Sequence, residues 1–74
     1  MKTALFIEGT REGYTPGQVL YNTFTVRQLR SVLKAFDDDT EVFIQNDNGY
    51  TFGSITEETI CEGWYDDDEY ELYN

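Results

Sequence analysis

Two runs of carboxylates carry most of the reactive groups in this chain: Asp37, Asp38 and Asp39, then Asp66, Asp67, Asp68 and Glu69. Paired carboxylates act as general acid and base only when different environments drive their proton affinities apart. Consecutive acids in a turn share one solvated environment, which argues against catalysis. Calcium favours clustered oxygens, yet its EF-hand loop needs ligands at alternating positions, a glycine sixth and a glutamate twelfth. With Gly49 in the sixth place, the first ligand would be Ile44 and the twelfth Ile55, and neither can coordinate through its side chain. The chain has no histidine and a single cysteine, Cys61. No imidazole is present to activate that thiol, and a structural zinc ion would lack its set of soft ligands. A lone cysteine in an apolar strand behaves as a small buried hydrophobe, which is the expectation for Cys61. Gly9, Gly13 and Gly17 recur every four residues, matching neither the dinucleotide nor the P-loop fingerprint, and act as loop punctuation. The expectation is no catalytic residue, no metal site and no cofactor: a protein that is not an enzyme.

What remains is charge, and it is unevenly placed. The 74 residues carry a formal net charge of −10. Residues 1–36 hold all five bases against only Glu8 and Glu12, whereas residues 37–74 hold thirteen acids and no Lys or Arg. Such an imbalance keeps a protein soluble and also speeds its encounter with basic partners, at a cost in self-repulsion. Strongly charged chains stay disordered when large apolar groups are scarce, but here aromatics are 16% of the residues. Each can bury a large area, so one folded domain spanning residues 1–74 is expected, close to the lower size limit for a chain without staples. The opening MKTALFIEG has an apolar run of only a few residues before Glu8, too short for the apolar core of a signal peptide.

The elements that must position these groups follow from local signals. Residues 3–8 (TALFIE), ending at Gly9, suit a first strand, and GTREGYTPGQ a loop. VLYNTF (19–24) reads as a short strand or an extended arm. A helix is predicted over about 25–36: Thr25 and Gln28 form a capping-box pair, and Phe24 with Leu29 fits a hydrophobic staple. Val26, Leu29, Leu33 and Phe36 make one apolar face, while Arg27, Arg30 and Lys34 make a basic stripe on another. That stripe is too thin for nucleic acid and reads as a solvated face or an internal counterweight to Asp37, Asp38 and Asp39. EVFIQ (41–45) and YTFGSI (50–55) flank NDNG, a strong hairpin signal, with Gly53 marking a bulge and the hairpin near the sheet's centre. A further strand is expected around 59–65 and a last one over 70–73. The sum is an α+β fold, one amphipathic helix packed on a small, mostly antiparallel sheet of three to five strands around a single core.

Within YELYN, alternation turns Glu71 and Tyr73 one way and Tyr70 and Leu72 the other. Carboxylates interleaved with aromatic rings imitate the charge and stacking character of a nucleic acid, and would compete for basic grooves that bind one. The candidate partner-binding residues are Trp64, Tyr65, Asp66, Asp67, Asp68, Glu69, Tyr70, Glu71 and Tyr73. Asp37, Asp38, Asp39 and Asp47 form a candidate second acidic patch. The alternative is an acidic solubilising rim whose tyrosines serve packing.

The segment TVRQLRSVLKAFDDDTEVFIQNDNGYTFGSI resembles one found in small acidic proteins of bacteriophages and mobile elements of gut bacteria. Thr25, Val26, Leu29, Leu33, Phe36, Asp39, Thr40, Val42, Gly49 and Tyr50 carry the resemblance, and the opening MKTALFIEGTREGYTPGQ extends it over nearly the whole chain. These positions are caps, core and turns, so they carry no catalytic residues. Together with the charge, the resemblance implies an inhibitor of host defence such as an anti-CRISPR protein, acting in the bacterial cytoplasm. Its partner would be a host protein with a basic, nucleic-acid-binding surface, with no direct contact to nucleic acid or membrane. An assembly or oligomerisation module of a phage or mobile element is the alternative function.

Overall fold

The computed structural model describes residues 1–73 and has an α+β architecture. Strand β1 (Leu5–Glu8) leads through a long loop, with 3-10 turns at Pro16–Gln18 and Leu20–Asn22, into helix α1 (Val26–Leu33). The chain returns as β2 (Val42–Asn46), turns through Asp47–Gly49 and runs back as β3 (Thr51–Ser54). A 3-10 turn at Glu57–Thr59 precedes a separate hairpin of β4 (Gly63–Tyr65) and β5 (Tyr70–Leu72).

The three-stranded sheet has the order β1-β2-β3, and β2 is its central strand. β1 pairs with β2 in parallel because the loop and helix carry the chain back to the same end of the sheet. The β2–β3 and β4–β5 pairings are antiparallel. Residues 19–24 form neither a strand nor an extended arm; their middle is the 3-10 turn at Leu20–Asn22. Gly53 is no bulge, since it pairs in regular register with Ile44. The strand expected over 59–65 is confined to its last three residues, because Thr56 and Thr59 cap one another and bend the chain just before it.

Helix α1 begins where its capping box requires. The Gln28 N–H donates to Thr25 Oγ1 at 3.2 Å, and the Thr25 N–H donates to Gln28 Oε1 at 2.8 Å. Both donors would otherwise face water unpaired at the first turn. Regular α-geometry stops at Leu33, and tighter bonds from Ala35 to Val32 and from Phe36 to Leu33 carry the chain on. The apolar stripe therefore still reaches Phe36. Thr25→Ala removes the hydroxyl acceptor and is expected to lower stability by about 1 kcal/mol, read from the urea midpoint followed by far-UV circular dichroism. A midpoint unchanged by the substitution would show that the cap is not holding the helix.

The hairpin loop is set by residue type. Asp47 and Asn48 adopt φ of 51° and 58°, left-handed values that Asx side chains tolerate better than most. The Tyr50 N–H closes the loop by donating to Asn46 O at 3.0 Å and Asp47 O at 3.2 Å.

Helix and sheet face each other as expected, but they do not seal. Leu29 and Leu33 of α1 line an open cleft of about 470 Å³ with Ile7, Val42, Ile44, Ile55 and Ile60. None of the described residues is fully buried, so the single core predicted from the apolar pattern is a half-wet cleft. The accessible surface is 7102 Å², against about 4,700 Å² for a compact monomer of 8.6 kDa. The radius of gyration is 14.0 Å, where a compact chain of this length would have about 11 Å.

Candidate acidic and aromatic hairpin

β4 and β5 form where aromatic and alternating residues meet across a four-residue turn. Gly63 pairs with Leu72, Trp64 with Glu71 and Tyr65 with Tyr70. The Tyr73 N–H extends the ladder by donating to Glu62 O at 2.7 Å. Residues directly opposite one another share a face, so the hairpin has two unlike faces. One carries Glu62, Trp64, Glu71 and Tyr73, acid alternating with ring. The other carries Tyr65, Tyr70 and Leu72, with Gly63 packed closely against the backbone of Glu71 and Leu72. Trp64 is 41% exposed, Tyr65 47%, Tyr70 49% and Leu72 59%, so both faces reach solvent.

The turn is built by its first acid. Asp66 Oδ1 accepts from the Asp68 N–H at 3.2 Å and the Glu69 N–H at 2.9 Å, and the Asp66 N–H donates to Glu69 O at 2.9 Å. One oxygen of the Asp66 carboxylate is therefore engaged inside the turn, and Asp67, Asp68 and Glu69 are the acids left to meet a partner. Asp66→Ala should loosen the turn by about 1 kcal/mol, whereas Asp66→Asn keeps an amide oxygen as acceptor and should cost less. Amide exchange at Asp68 and Glu69 reads the difference; equal protection in both variants would remove Asp66 from this role.

The turn is also held from outside. A Cβ added at Gly17 would lie 2.8 Å from Asp67 O and 2.9 Å from Asp66 O, so the Pro16–Gln18 turn presses directly on the backbone of the acidic turn. In the sequence Gly17 reads as loop punctuation. Its other role, close approach to a segment fifty residues away, is invisible without the tertiary contact.

The second acidic patch is not brought together. Asp37, Asp38 and Asp39 precede β2 and Asp47 follows it, separated by a five-residue strand that spans about 16 Å. Asp37 and Asp39 share a surface hollow with Lys2 and Glu41, whereas Asp47 shares one with Glu8 and Arg11. Among the described residues the one ion pair is Lys2 Nζ to Glu41 Oε1 at 3.1 Å, between exposed groups. The basic stripe Arg27, Arg30 and Lys34 is exposed and makes no ion pair with Asp37, Asp38 or Asp39, so it is no internal counterweight to them. Cys61 is exposed and lies between the Glu57–Thr59 turn and β4, outside any strand; the buried-hydrophobe expectation does not hold. No group of three or more Cys, Asp or Glu side chains is arranged to hold a metal ion among the described residues.

One apolar feature escaped the sequence reasoning. Phe6, Phe43 and Phe52 form a cluster on the sheet face opposite α1, with ring centroids 5.7 Å apart for Phe6 and Phe43 and 5.8 Å for Phe6 and Phe52. The signal was available: LFI and VFI are continuous apolar runs, which mark strands apolar on both faces.

No helix among the described residues is long and apolar enough to cross a membrane. No family model, no curated protein and no solved structure matches the chain.

Proposed function

We propose that this chain is a non-enzymatic binding protein that occupies a basic, nucleic-acid-binding surface of another protein. The observation that carries the proposal is the hairpin face on which Glu62, Trp64, Glu71 and Tyr73 alternate, next to a turn that offers Asp67, Asp68 and Glu69. Carboxylates stand in for phosphates and half-exposed rings for bases, the two features by which basic single-strand grooves recognise their ligand. The C-terminal half has no base to neutralise them. Given the resemblance to phage and mobile-element proteins, a CRISPR effector nuclease of the bacterial host is the first partner to test.

The experiment is a competition. A fluorescent DNA bound to such a nuclease should be displaced by the wild-type chain, and the triple reversal of Asp67, Asp68 and Glu69 to Lys should weaken displacement at least about tenfold, or 1.4 kcal/mol. Trp64→Ala should weaken it as well, since stacked aromatics contribute about 1–3 kcal/mol each. Displacement by the reversed variant as efficient as by wild type would sink the proposal.

A second function, an assembly module working through self-association, is favoured by a different observation: the chain exposes far more surface than a compact monomer of its mass.

A further inference from the structure

We infer that two copies of this chain associate, each seating the Tyr65, Tyr70 and Leu72 face of its hairpin in the other's cleft between α1 and the three-stranded sheet. The inference rests on the assembly function and names its partner and its surfaces.

Three observations converge on a second copy as the occupant. The first is area. The chain exposes about 2,400 Å² more than a compact monomer of its mass, and a stable dimer needs to cover only about 800 Å² on each partner. The second is fit of chemistry. The cleft floor is Ile7, Leu29, Leu33, Val42, Ile44 and Ile60, which suits apolar and aromatic side chains. Tyr65, Tyr70 and Leu72 supply such side chains on one hairpin face, each about half exposed. The third is charge. Arg30 and Lys34 each follow a cleft-lining leucine by one position, about 100° round the helix, so the basic stripe runs along one flank of the cleft.

That stripe also needs anions. α1 has no acid in its first turn, and Arg27 stands there against the helix dipole. Among the described residues no carboxylate pairs with the stripe. The hairpin turn carries Asp67, Asp68 and Glu69, again without an ion-pair partner among the described residues. A two-fold axis lets the turn of each copy meet the stripe of the other, so both contacts form twice and the assembly closes. Two chains of charge −10 repel at long range, but that repulsion is screened beyond about 8 Å at physiological salt. The apolar seat supplies the affinity, and the charges fix orientation. The acid-and-ring face with Trp64 and Glu71 points away from the seat, whereas Asp67, Asp68 and Glu69 are taken up by the other copy and are not free for another protein.

A charge-swap experiment tests this. At about 100 µM, a hundredfold above a micromolar Kd, light scattering of the wild type should give twice the 8.6 kDa chain mass. Arg27→Glu, Arg30→Glu and Lys34→Glu together should give monomers, as should Asp67→Lys, Asp68→Lys and Glu69→Lys together. An equimolar mixture of the two variants should recover a dimer, because each reversed surface then meets its complement. A wild-type monomer overturns both this dimer and the assembly function. Wild-type dimers that persist in both variants, or variants that fail to pair when mixed, overturn the hairpin-in-cleft arrangement and leave self-association standing. Should a variant lose its far-UV signal, the wild-type chain decides alone. A nitroxide on the exposed Cys61, beside the cleft residue Ile60, is placed on one chain and 15N on the other. Broadening of the Tyr65, Tyr70 and Leu72 amides across chains is expected; broadening of Phe6 and Phe52 instead, or of none, overturns the arrangement.

Discussion

Gly63→Val is expected to unfold the C-terminal hairpin while the helix and three-stranded sheet persist. A Cβ at this position runs into the carbonyl oxygen of Glu71 and lies 3.2 Å from Leu72 Cα. Both are backbone atoms of the paired strand, so no side chain can swing aside to make room. Overpacking of this kind costs about 1–3 kcal/mol, and a two-stranded hairpin is marginal by itself. The cost is therefore comparable with the whole local stability of β4 and β5. In a 15N correlation spectrum, Trp64, Tyr65, Tyr70 and Leu72 should collapse to random-coil positions while Ile7, Ile44 and Gly53 keep theirs. Retained dispersion at Trp64 and Tyr70 would contradict the close approach. Gly17→Ala tests the same hairpin from outside, through its contacts with Asp66 O and Asp67 O, and should release the acidic turn without dissolving the β4–β5 ladder.

The second large effect is predicted for Ile44→Asp, at the centre of the cleft. Ile44 sits on the central strand, paired with Ile7 on one side and Gly53 on the other, and it lines the cleft beneath Leu29 and Leu33. The substitution removes apolar contact worth about 1.5–3 kcal/mol and puts a carboxylate against apolar walls, a further penalty softened by water that reaches the open cleft. A loss of about 3 kcal/mol or more is a large share of the roughly 4–11 kcal/mol available to a domain of this size. The urea midpoint should fall towards zero denaturant. Val32→Asp provides the contrast: Val32 lies on the helix but outside the cleft lining, and should lower stability by no more than about 1 kcal/mol, the effect of a carboxylate against the helix dipole. Equal effects at the two positions would show that the cleft is not the stabilising centre of the fold.

These two predictions rest on information of different kinds. Ile44 was visible in the sequence as the middle of an apolar run beside an Asn-Gly turn. The constraint at Gly63 was not, because it arises from the register that sets Gly63 opposite Leu72. The helix was legible for the same reason as Ile44: a capping box and an apolar repeat act over three or four residues. Its regular end at Leu33 was less so, because the last turn tightens rather than stops. The parallel pairing of β1 with β2 depends on two segments more than thirty residues apart, and no local signal encodes it.

Within the acidic hairpin the division is similar. Composition and alternation were enough to place Trp64, Tyr65, Tyr70 and Glu71 on a strand pair with carboxylates between them, because strand period and turn chemistry are local properties. Which carboxylate is engaged is also set within the turn, as Asp66 turns one oxygen onto the N–H groups two and three residues further on. The separation of Asp47 from Asp37, Asp38 and Asp39 follows from β2, the strand that lies between them. The exposure of Cys61 was beyond the sequence, and depends on a 3-10 turn that keeps residues 59–61 out of the sheet. By itself the sequence determined the helix, the two turns, the hairpin strands and the segregation of charge, all of which follow from neighbours within a few residues. Only the tertiary structure decided which groups meet across the chain and how far the apolar faces close, because those depend on contacts between segments that local physics leaves free.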